Sequence, residues 1–391
     1  MLSYSFYEGD ARIIQYASAL AERGDEVDVI CLKHPGGSDH GVLDSVNVFR
    51  VQERTKDEHG PLTYLIRILR FLLTSAWVLT RRHLRRKYDV IHVHSVPDFL
   101  VFAALVPKLT GAAVILDIHD VLPELYASKF HASHDSFLFH ALVLLERISV
   151  AFADHVIVAN HLWCERVARR SGRAQKCSAI RNYPAPKLFR PRPHSQNGKF
   201  IITYPGSLNW HQGVDVAIHA FAKIKDDVPD AEFHIYGEGP AKPSLMDLSN
   251  SLGLTGRVIF HPALPNAQIV SVMASSDLAI EPKRASSEFG NEALSMKILE
   301  FMAVGVPVIA SRTKTHGYYY DDSVVKYYDE DSVDELAEDI VLLRKNVLLR
   351  NQLVTNGLKY VESNNWDVEK RRYLALVDGF PRKGLPVGAV S

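Results

Sequence analysis

The chain has 391 residues, which is too long for one ordinary core and fits two domains. Its hydrophobic and charged fractions, 47% and 23%, are typical of globular proteins and argue against extended disorder. The 45 basic and 45 acidic side chains cancel, which argues against nucleic acid as a partner and confines any basic surface to a local patch.

The cysteines and the N-terminal residues indicate the cellular compartment in which the protein is expected. Cys31, Cys164 and Cys177 are scattered without paired spacing, which is typical of reduced thiols and predicts neither a disulfide framework nor a zinc site. The first residues lack the basic start and apolar core of a secretory signal. No uninterrupted apolar run reaches the ~18 residues of a membrane span. A soluble or surface-bound cytoplasmic protein is therefore expected.

The chain opens on a loop-like segment after a short first strand, and a helix is predicted next at Ala11–Arg23. Gly9, Asp10 and Arg12 are placed where they could face a substrate. Asp10 is equally suited to capping the helix, because aspartate is among the preferred N-cap residues. Both interpretations stay open at this point.

A basic and apolar stretch lies between Leu62 and Lys87. Arginines mixed with Leu, Phe and Trp are typical of a helix that lies in the interface of an anionic membrane. An ordinary domain helix with a solvated basic end is the alternative, and the stretch is too interrupted to span a bilayer. The candidate membrane-facing side chains are Arg67, Arg70, Arg81, Arg82, Arg85 and Arg86.

A polar segment follows the strand predicted at 113–116 and places His119 at the carboxyl edge of a sheet. Open α/β sheets bind their ligands at that edge. Asp120 and Glu124 could orient His119 or an acceptor, or could cap the next helix. His92 and His94 alternate within an earlier strand, where packed core histidines are favoured over metal ligands.

Short β-branched runs alternate with helical segments along the whole chain. Nearly continuous apolar runs predict strands buried on both faces, as in parallel sheets. The strands are predicted at 27–30, 90–93, 113–116, 155–158, 200–203, 232–236, 257–260, 278–280 and 306–309. Crossover helices such as Val214–Ile224 lie between them. The expected fold class is α/β, with two doubly wound Rossmann-like domains.

A proline-rich extended stretch near the middle of the chain separates the two halves. It predicts domains at 1–183 and 197–363, with a linker at 184–196. A further helix is predicted at 364–380, and the Gly- and Pro-rich tail at 381–391 is expected to be disordered.

The segment from Phe289 to Ser311 is the most informative. A turn is predicted at Gly290 and Asn291, a helix begins close to Leu294, and Gly305 ends it before the next strand. The free N–H groups and the dipole of a helix start favour a diphosphate. In this chain the free N–H groups of the predicted helix start are those of Leu294, Ser295 and Met296.

Charged side chains surround this helix start. Glu292 stands just before the helix, and Glu300 lies about two turns later and can accept hydrogen bonds from ribose hydroxyls. Lys297 can add a positive charge to a leaving phosphate. This segment resembles the retaining GT-B glycosyltransferases of family 4, the glycosyl transferases group 1, whose hallmark is two glutamates separated by seven residues.

Two other segments resemble the same family, and the similarity is densest from 200 to 311. The loop from Tyr204 to Asp215 is similar to its glycine loop, and the turn at Gly237 is similar to its nucleotide-side turn. Many relatives carry an arginine and a lysine in the glycine loop, whereas this chain has Ser207 and Gln212. The donor-binding residues are therefore predicted as Gly206, Ser207, His211, Gly237, Arg284, Leu294, Ser295, Met296, Lys297 and Glu300.

The resemblance implies two facing GT-B domains with a cleft, an N-terminal acceptor domain, and a C-terminal helix that returns to it. It implies transfer of a sugar, with retention, from a nucleotide diphosphate sugar to a hydroxyl of a glycan or lipid-linked saccharide. Glu292, His119 and Lys297 are the predicted catalytic residues. The predicted acceptor-side residues are Gly9, Asp10, Asp120 and Glu124.

No Asp-x-Asp pattern falls in a loop suited to a metal, so a metal-independent reaction without a cofactor is expected. The expected location is the cytoplasm, on the inner face of the membrane. Two alternatives remain: a non-catalytic membrane-surface partner with a degenerate transferase fold, and a sugar-nucleotide epimerase of the same architecture. The first is motivated by the missing loop cations.

Overall fold

The computed structural model describes residues 1–54, 61–130, 132–192 and 198–380. The predicted tail and most of the second half of the predicted linker lie outside these ranges. The chain divides into two compact units. The first comprises Met1–Asn182 and the residues from Asp367 onward, and the second comprises Tyr183–Trp366. The division at Asn182 falls one residue before the predicted end of the first domain.

The two units contain parallel sheets and their crossover helices. The α-helices are α1 (Ala11–Glu22), α2 (Pro61–Arg85), α3 (Leu105–Leu109), α4 (Leu122–Phe130), α5 (Phe137–Phe152), α6 (His161–Ser171), α7 (Val214–Ile224), α8 (Lys242–Ser251), α9 (Asn266–Ala274), α10 (Glu288–Glu292), α11 (Met296–Val304), α12 (Lys314–Tyr319), α13 (Val333–Lys345), α14 (Val347–Ser363) and α15 (Trp366–Asp378).

The predicted strands are confirmed, and most extend one to three residues further than expected. The strands are β1 (Leu2–Ser3), β2 (Val27–Lys33), β3 (His40–Leu43), β4 (Val46–Glu53), β5 (Val90–His94), β6 (Ala113–Ile118), β7 (His155–Val158), β8 (Cys177–Ala179), β9 (Phe200–Pro205), β10 (Ala231–Tyr236), β11 (Val258–His261), β12 (Leu278–Glu281), β13 (Val308–Ser311) and β14 (Lys326–Tyr328).

Strand order locates the ligand edge of each sheet. The first sheet runs β3-β4-β2-β1-β5-β6-β7-β8, with only the β3–β4 pair antiparallel among the described strands. The second runs β11-β10-β9-β12-β13-β14 and is parallel throughout the described strands. Chain order reverses between β1 and β5 and between β9 and β12. Ligands of open parallel sheets bind beyond the carboxyl ends of the strands at such a reversal.

In the second unit, helix α11 packs as its periodicity predicts. Ile298, Phe301 and Met302 are buried, and Gly305 ends the helix in the left-handed region at φ +80°. This φ favours glycine because other residues pay a steric cost there. The buried face therefore fixes which side of α11 turns toward the carboxyl ends of β9 and β12.

Helix α2 corrects the expectation that the stretch between Leu62 and Lys87 is too interrupted to span a bilayer. Residues Thr63–Arg85 are long and apolar enough to span a membrane by length and composition, with a mean hydropathy of 1.3. One face, with Ile68, Phe71 and Leu79, is buried and packs on β4 and on the 3₁₀ helix that follows β5. The length of this helix was not evident in the sequence because arginines interrupt the apolar run.

Candidate active site

Two glycine turns pack directly on each other at the carboxyl ends of β9 and β10. The Gly206 amide donates to the carbonyl of Tyr236 at 2.8 Å. A Cβ atom added to Gly237 would lie 1.8 Å from the Gly206 carbonyl oxygen, and one added to Gly239 would lie 2.3 Å from the carbonyl oxygen of Leu208. Glycine is therefore required here because backbone meets backbone.

A cavity of about 380 Å³ opens beside these turns. Four predicted donor-binding residues line it: Gly206, Ser207, Gly237 and Glu300. The rest of its wall is mainly apolar and comes from Phe189, Pro205, Tyr236, Glu238, Ala263, Leu264, Ile269 and Met273. A mainly apolar wall with a few polar groups suits a flat ring that carries polar substituents.

Lys297 lies next to this cavity, in the first turn of α11. Its Nζ is 3.1 Å from Glu281 Oε2 and donates to Gln212 Oε1 at 3.3 Å. A Cβ atom added to Gly206 would lie 3.2 Å from the same Nζ, so the ammonium lies directly beneath the glycine turn. Burial lowers the pKa of Lys297, but Glu281, Tyr204 and Glu300 together outweigh burial and hold the pKa above its ordinary value, so the ammonium is charged.

Arg284 departs from its predicted role. Its guanidinium forms ion pairs with Asp215 and, at 3.5 Å, with Asp331. It also donates to the Trp210 carbonyl at 3.2 Å and lies over the Trp210 ring. Two carboxylates offset its charge, so Arg284 holds the loop after β9 in place and is poorly suited to bind a diphosphate.

His211 is neutral in this environment. Burial, followed by the charges of Lys283 and Lys297, lowers the pKa of His211 to about 4. Its Nε2 lies 3.3 Å from Gln212 Nε2. His211 therefore serves as a hydrogen-bonding group and adds no positive charge at neutral pH.

Glu292 does not stand in a loop, which corrects the sequence analysis. Residues Glu288–Glu292 form the short helix α10, so Gly290 and Asn291 are helical. Glu292 is buried, and its Oε1 lies 3.7 Å from Lys314 Nζ. Helix α11 begins two residues later than predicted, at Met296, and its N-cap side chain makes no capping hydrogen bond. The short helix forms because the Ser287 side chain caps the N–H of Gly290.

In the first unit, Asp117 is the centre of a buried polar cluster. Arg12 donates to both carboxylate oxygens, at 2.7 and 2.6 Å. His119 Nε2 and His94 Nδ1 each lie 3.0 Å from Asp117 Oδ2. Burial opposes ionisation of Asp117, but Arg12 and His119 hold its pKa well below the usual range. Both oxygens are engaged by Arg12, so this carboxylate orients His119 rather than offering a free metal ligand.

The four residues predicted on the acceptor side lie in different environments. The Asp10 side chain accepts a hydrogen bond from the Ile13 amide and caps α1, which confirms the capping interpretation. Glu124 is buried and forms ion pairs with Arg166, at 2.9 Å, and Arg170, which makes it a structural residue. Gly9, in a short 3₁₀ turn, and Asp120, partly exposed after β6, keep their predicted places beyond β1 and β6.

Glu281 and Asp117 were not among the site residues predicted from the sequence. Glu281 is the last residue of β12 and Asp117 is the second last residue of β6, and the other residues of both strands are apolar. A charged residue near the carboxyl end of an apolar strand could have signalled them, because a buried carboxylate requires a partner. Gln212 was noted only as a departure from the resembled family.

Two doubly wound units with a glycine loop at a strand reversal define the class of GT-B glycosyltransferase folds. The chain matches the model "Glycosyl transferase 4-like domain" over residues 10–183 and the model "Glycosyl transferases group 1" over residues 187–360. The protein belongs to the group 1 glycosyltransferase family.

Similar proteins include the alpha-D-kanosaminyltransferase of Streptomyces kanamyceticus, 26% identical over 60% of this chain and 62% of the relative. The putative glycosyltransferase EpsD of Bacillus subtilis is 26% identical over 59% of this chain and 60% of the relative. The chain thus spans about three fifths of the length of these relatives. The 2-deoxystreptamine N-acetyl-D-glucosaminyltransferase of Streptomyces fradiae is 28% identical over 76% of this chain and 72% of the relative.

Solved structures show the same fold. Sucrose-phosphate synthase from Thermosynechococcus elongatus has a TM-score of 0.76 at 18% identity, over 96% of this chain and 98% of that protein. Anabaena HepE in complex with UDP and glucose has a TM-score of 0.72 at 15% identity, over 97% of this chain and 99% of that protein.

Proposed function

We propose that this protein transfers a sugar from a nucleotide diphosphate sugar to a hydroxyl of a glycan or a lipid-linked saccharide, with retention of anomeric configuration. The observation that carries the proposal is the Lys297 ammonium beneath Gly206, beside the cavity at the β9–β12 reversal. Membership of the group 1 family supports it.

The proposed chemistry needs charge stabilisation at the leaving group. As the bond from the sugar to the diphosphate breaks, the sugar carbon becomes oxocarbenium-like and negative charge grows on the phosphate oxygens. Lys297 and the N-terminus of α11 stabilise this charge. Glu292 holds hydroxyls of the sugar and positions its reacting carbon. The role of His119 at the sugar rests on the family resemblance.

The nucleoside would occupy the cavity lined by Tyr236 and Leu264, with its ribose at Glu300. A protein of the same fold, Anabaena HepE, has been solved with UDP and glucose, which supports a nucleotide as the class of ligand. None of the proposed steps uses a metal or a cofactor.

A donor screen tests the proposal. Nucleotide sugars with different bases and sugars are compared by thermal shift, since a ligand that binds the native state raises its stability. The donors that bind are then assayed for hydrolysis and for transfer to oligosaccharides and lipid-linked saccharides, with NMR analysis of the new linkage. A retained configuration in the product supports the proposal. Absence of donor binding points to a scaffold, and a new sugar nucleotide formed without acceptor points to an epimerase.

Donor affinity is expected to increase as pH rises through about 7. Burial is the largest influence on Glu300 and raises its pKa to about 7, against the lowering effect of Lys297. An ionised carboxylate accepts stronger hydrogen bonds from ribose hydroxyls by about 1 kcal/mol, or about 5-fold in affinity. Titrations of a nucleotide sugar at pH 6 and pH 8 measure the change. Glu300→Gln should remove it, and an unchanged pH dependence in that variant would contradict the assignment.

The same elevated pKa affects stability in the opposite sense. The folded state keeps the Glu300 proton up to about pH 7, whereas the unfolded chain loses it near its ordinary value of 4.5. The contribution of Glu300 to the free energy of unfolding therefore falls as pH rises between these two values. Glu300→Gln is expected to lose this slope in urea unfolding.

We also propose that α2 attaches the protein to the cytoplasmic face of an anionic membrane. Leu73, Trp77 and Leu84 are 70%, 60% and 66% exposed on the face opposite the buried one. Arg70, Arg81 and Arg85 are exposed beside them. An exposed apolar stripe with flanking arginines fits insertion at the level of lipid head groups.

Two of the predicted membrane cations are engaged within the protein. Arg82 binds Asp28 at 2.8 Å and lies over the Phe49 ring, and Arg86 pairs with Glu26. Replacing Arg82 would therefore disturb the first unit. The membrane test is best confined to the exposed arginines.

Replacing Arg70, Arg81 and Arg85 by glutamine is expected to weaken binding to vesicles containing phosphatidylglycerol about 10²-fold. Each arginine contributes about 1 kcal/mol near an anionic surface. Sedimentation with vesicles measures the change. The control replaces three exposed lysines of the second unit, Lys223, Lys345 and Lys359, by glutamine. Equal losses in both triple variants would argue against α2 as the membrane face.

A further inference from the structure

The glycine turn lacks cations of its own, although the proposed donor carries a diphosphate. Ser207 and Gln212 stand where the resembled family often has an arginine and a lysine, and Arg284 is paired with Asp215 and Asp331. Lys297 remains as the ammonium beneath Gly206. Its position therefore decides how well this protein holds a diphosphate.

Glu281 fixes the first side of this ammonium. It is the last residue of β12, its side chain is 2% exposed, and its Oε2 lies 3.1 Å from Lys297 Nζ. A buried carboxylate is costly unless it is paired, so Glu281 requires the ammonium as much as the ammonium requires Glu281. The β-strand gives this carboxylate a rigid position at the reversal between β9 and β12.

Gln212 fixes the second side. Its Oε1 accepts from Lys297 Nζ at 3.3 Å, so its amide nitrogen faces Nε2 of His211, also at 3.3 Å. The amide N–H then donates to His211 Nε2, and the ring proton of the neutral imidazole resides on Nδ1. The glutamine thus connects the ammonium to a second hydrogen-bonding group of the loop.

The Lys297 ammonium is thus held by an ion pair with Glu281 and a hydrogen bond to Gln212, and it lies over the Tyr204 ring. Its position beneath Gly206 places its charge next to a ligand at the turn. We infer that Glu281 and Gln212 are positioning residues, which hold the Lys297 ammonium against the donor's diphosphate in place of the missing loop cations. This inference rests on the proposed function.

The test measures the contribution of the diphosphate to binding. Affinities of UDP and uridine, and of GDP and guanosine, are measured by calorimetry and competition NMR for wild type, Glu281→Gln, Glu281→Asp and Gln212→Leu. Glu281→Gln and Gln212→Leu should each reduce diphosphate affinity at least 10-fold, with less than a 3-fold change for the nucleoside. Glu281→Asp keeps the charge and should recover part of the loss.

Glu300→Gln is the matched comparison, because it alters the proposed ribose contact and should weaken nucleoside and diphosphate alike. Circular dichroism and unfolding midpoints report the fold. If Glu281→Gln does not fold, the charge-free pair Glu281→Gln/Lys297→Met takes its place and should bind UDP no better than uridine.

The outcomes separate the two proposals. A wild-type protein that binds neither these nucleotides nor any nucleotide sugar of the donor screen defeats the proposed function, and the positioning role fails with it. A wild type that prefers the diphosphate, together with a folded Glu281→Gln variant of equal preference, overturns the positioning role and leaves the proposed function standing.

Discussion

Lys297→Ala is expected to lower the rate of sugar transfer at least about 10²-fold, because the leaving diphosphate loses its ammonium partner. The effect is large because Lys297 lies beneath the glycine turn and no other loop cation replaces it, Arg284 being held by Asp215 and Asp331. The change should appear mainly in kcat, since charge on the leaving group grows toward the transition state. Initial rates over a range of donor concentrations measure it.

The control for this variant addresses stability as well as charge. Lys297→Ala leaves Glu281 buried without its partner, so Lys297→Ala/Glu281→Gln is prepared to remove the unpaired charge. Lys223→Ala removes an exposed lysine from α7 and should retain wild-type turnover. Wild-type kcat in a folded Lys297→Ala variant would exclude the leaving-group role.

Gly237→Ala is expected to lower the free energy of unfolding by about 2–3 kcal/mol and to abolish nucleotide binding. The added methyl carbon would lie 1.8 Å from the Gly206 carbonyl oxygen, so the two turns must separate. The Gly206 turn forms part of the cavity wall and lies above Lys297, so its displacement removes both the pocket and the phosphate contact. Urea unfolding and nucleotide titration measure the two effects.

Gly317→Ala is the matched substitution, because a Cβ atom at this helical glycine meets no atom within 4 Å. It should leave both nucleotide binding and the unfolding midpoint close to wild type. Near-normal stability and binding in Gly237→Ala would show that the two turns do not need their backbone contact.

The sequence was a sound guide to the strands and to the end of α11. Long apolar runs can be buried only between two helix layers, so parallel sheets followed from composition and periodicity. Gly305 marked the end of α11 because glycine tolerates the left-handed conformation found there. The strands and the end of α11 depend on residues that are close in sequence, so they can be predicted from one sequence.

The contacts that the sequence did not predict involve partners that are distant in the chain. Arg284 was predicted to bind the donor in place of the missing loop cations, whereas Asp215 and Asp331 approach it from other segments and offset its charge. Glu124 was assigned to the acceptor side, and Arg166 and Arg170 of α6 bury it. Sequence spacing does not report such ion pairs, because they form only when the sheet brings helices together.

Helix α2 illustrates a different difficulty. Its mixture of leucines and arginines suggested one amphipathic face, but the structure divides the helix into a buried face and an exposed apolar stripe on the opposite side. The two faces have similar composition, so periodicity alone could not separate the residues that pack on the first unit from those that remain exposed.

The direct pairing of β9 with β12 separates two duties along the chain. The cavity wall formed by Tyr236, Leu264 and Met273 comes from segments on the β10–β11 side, whereas Glu281 and Lys297 belong to segments on the β12 side. Under the proposed function, substitutions in one stretch of sequence can change the preferred base while the ammonium that stabilises the departing diphosphate stays intact in another. Donor choice can therefore diverge among descendants of one ancestor without rebuilding the chemistry.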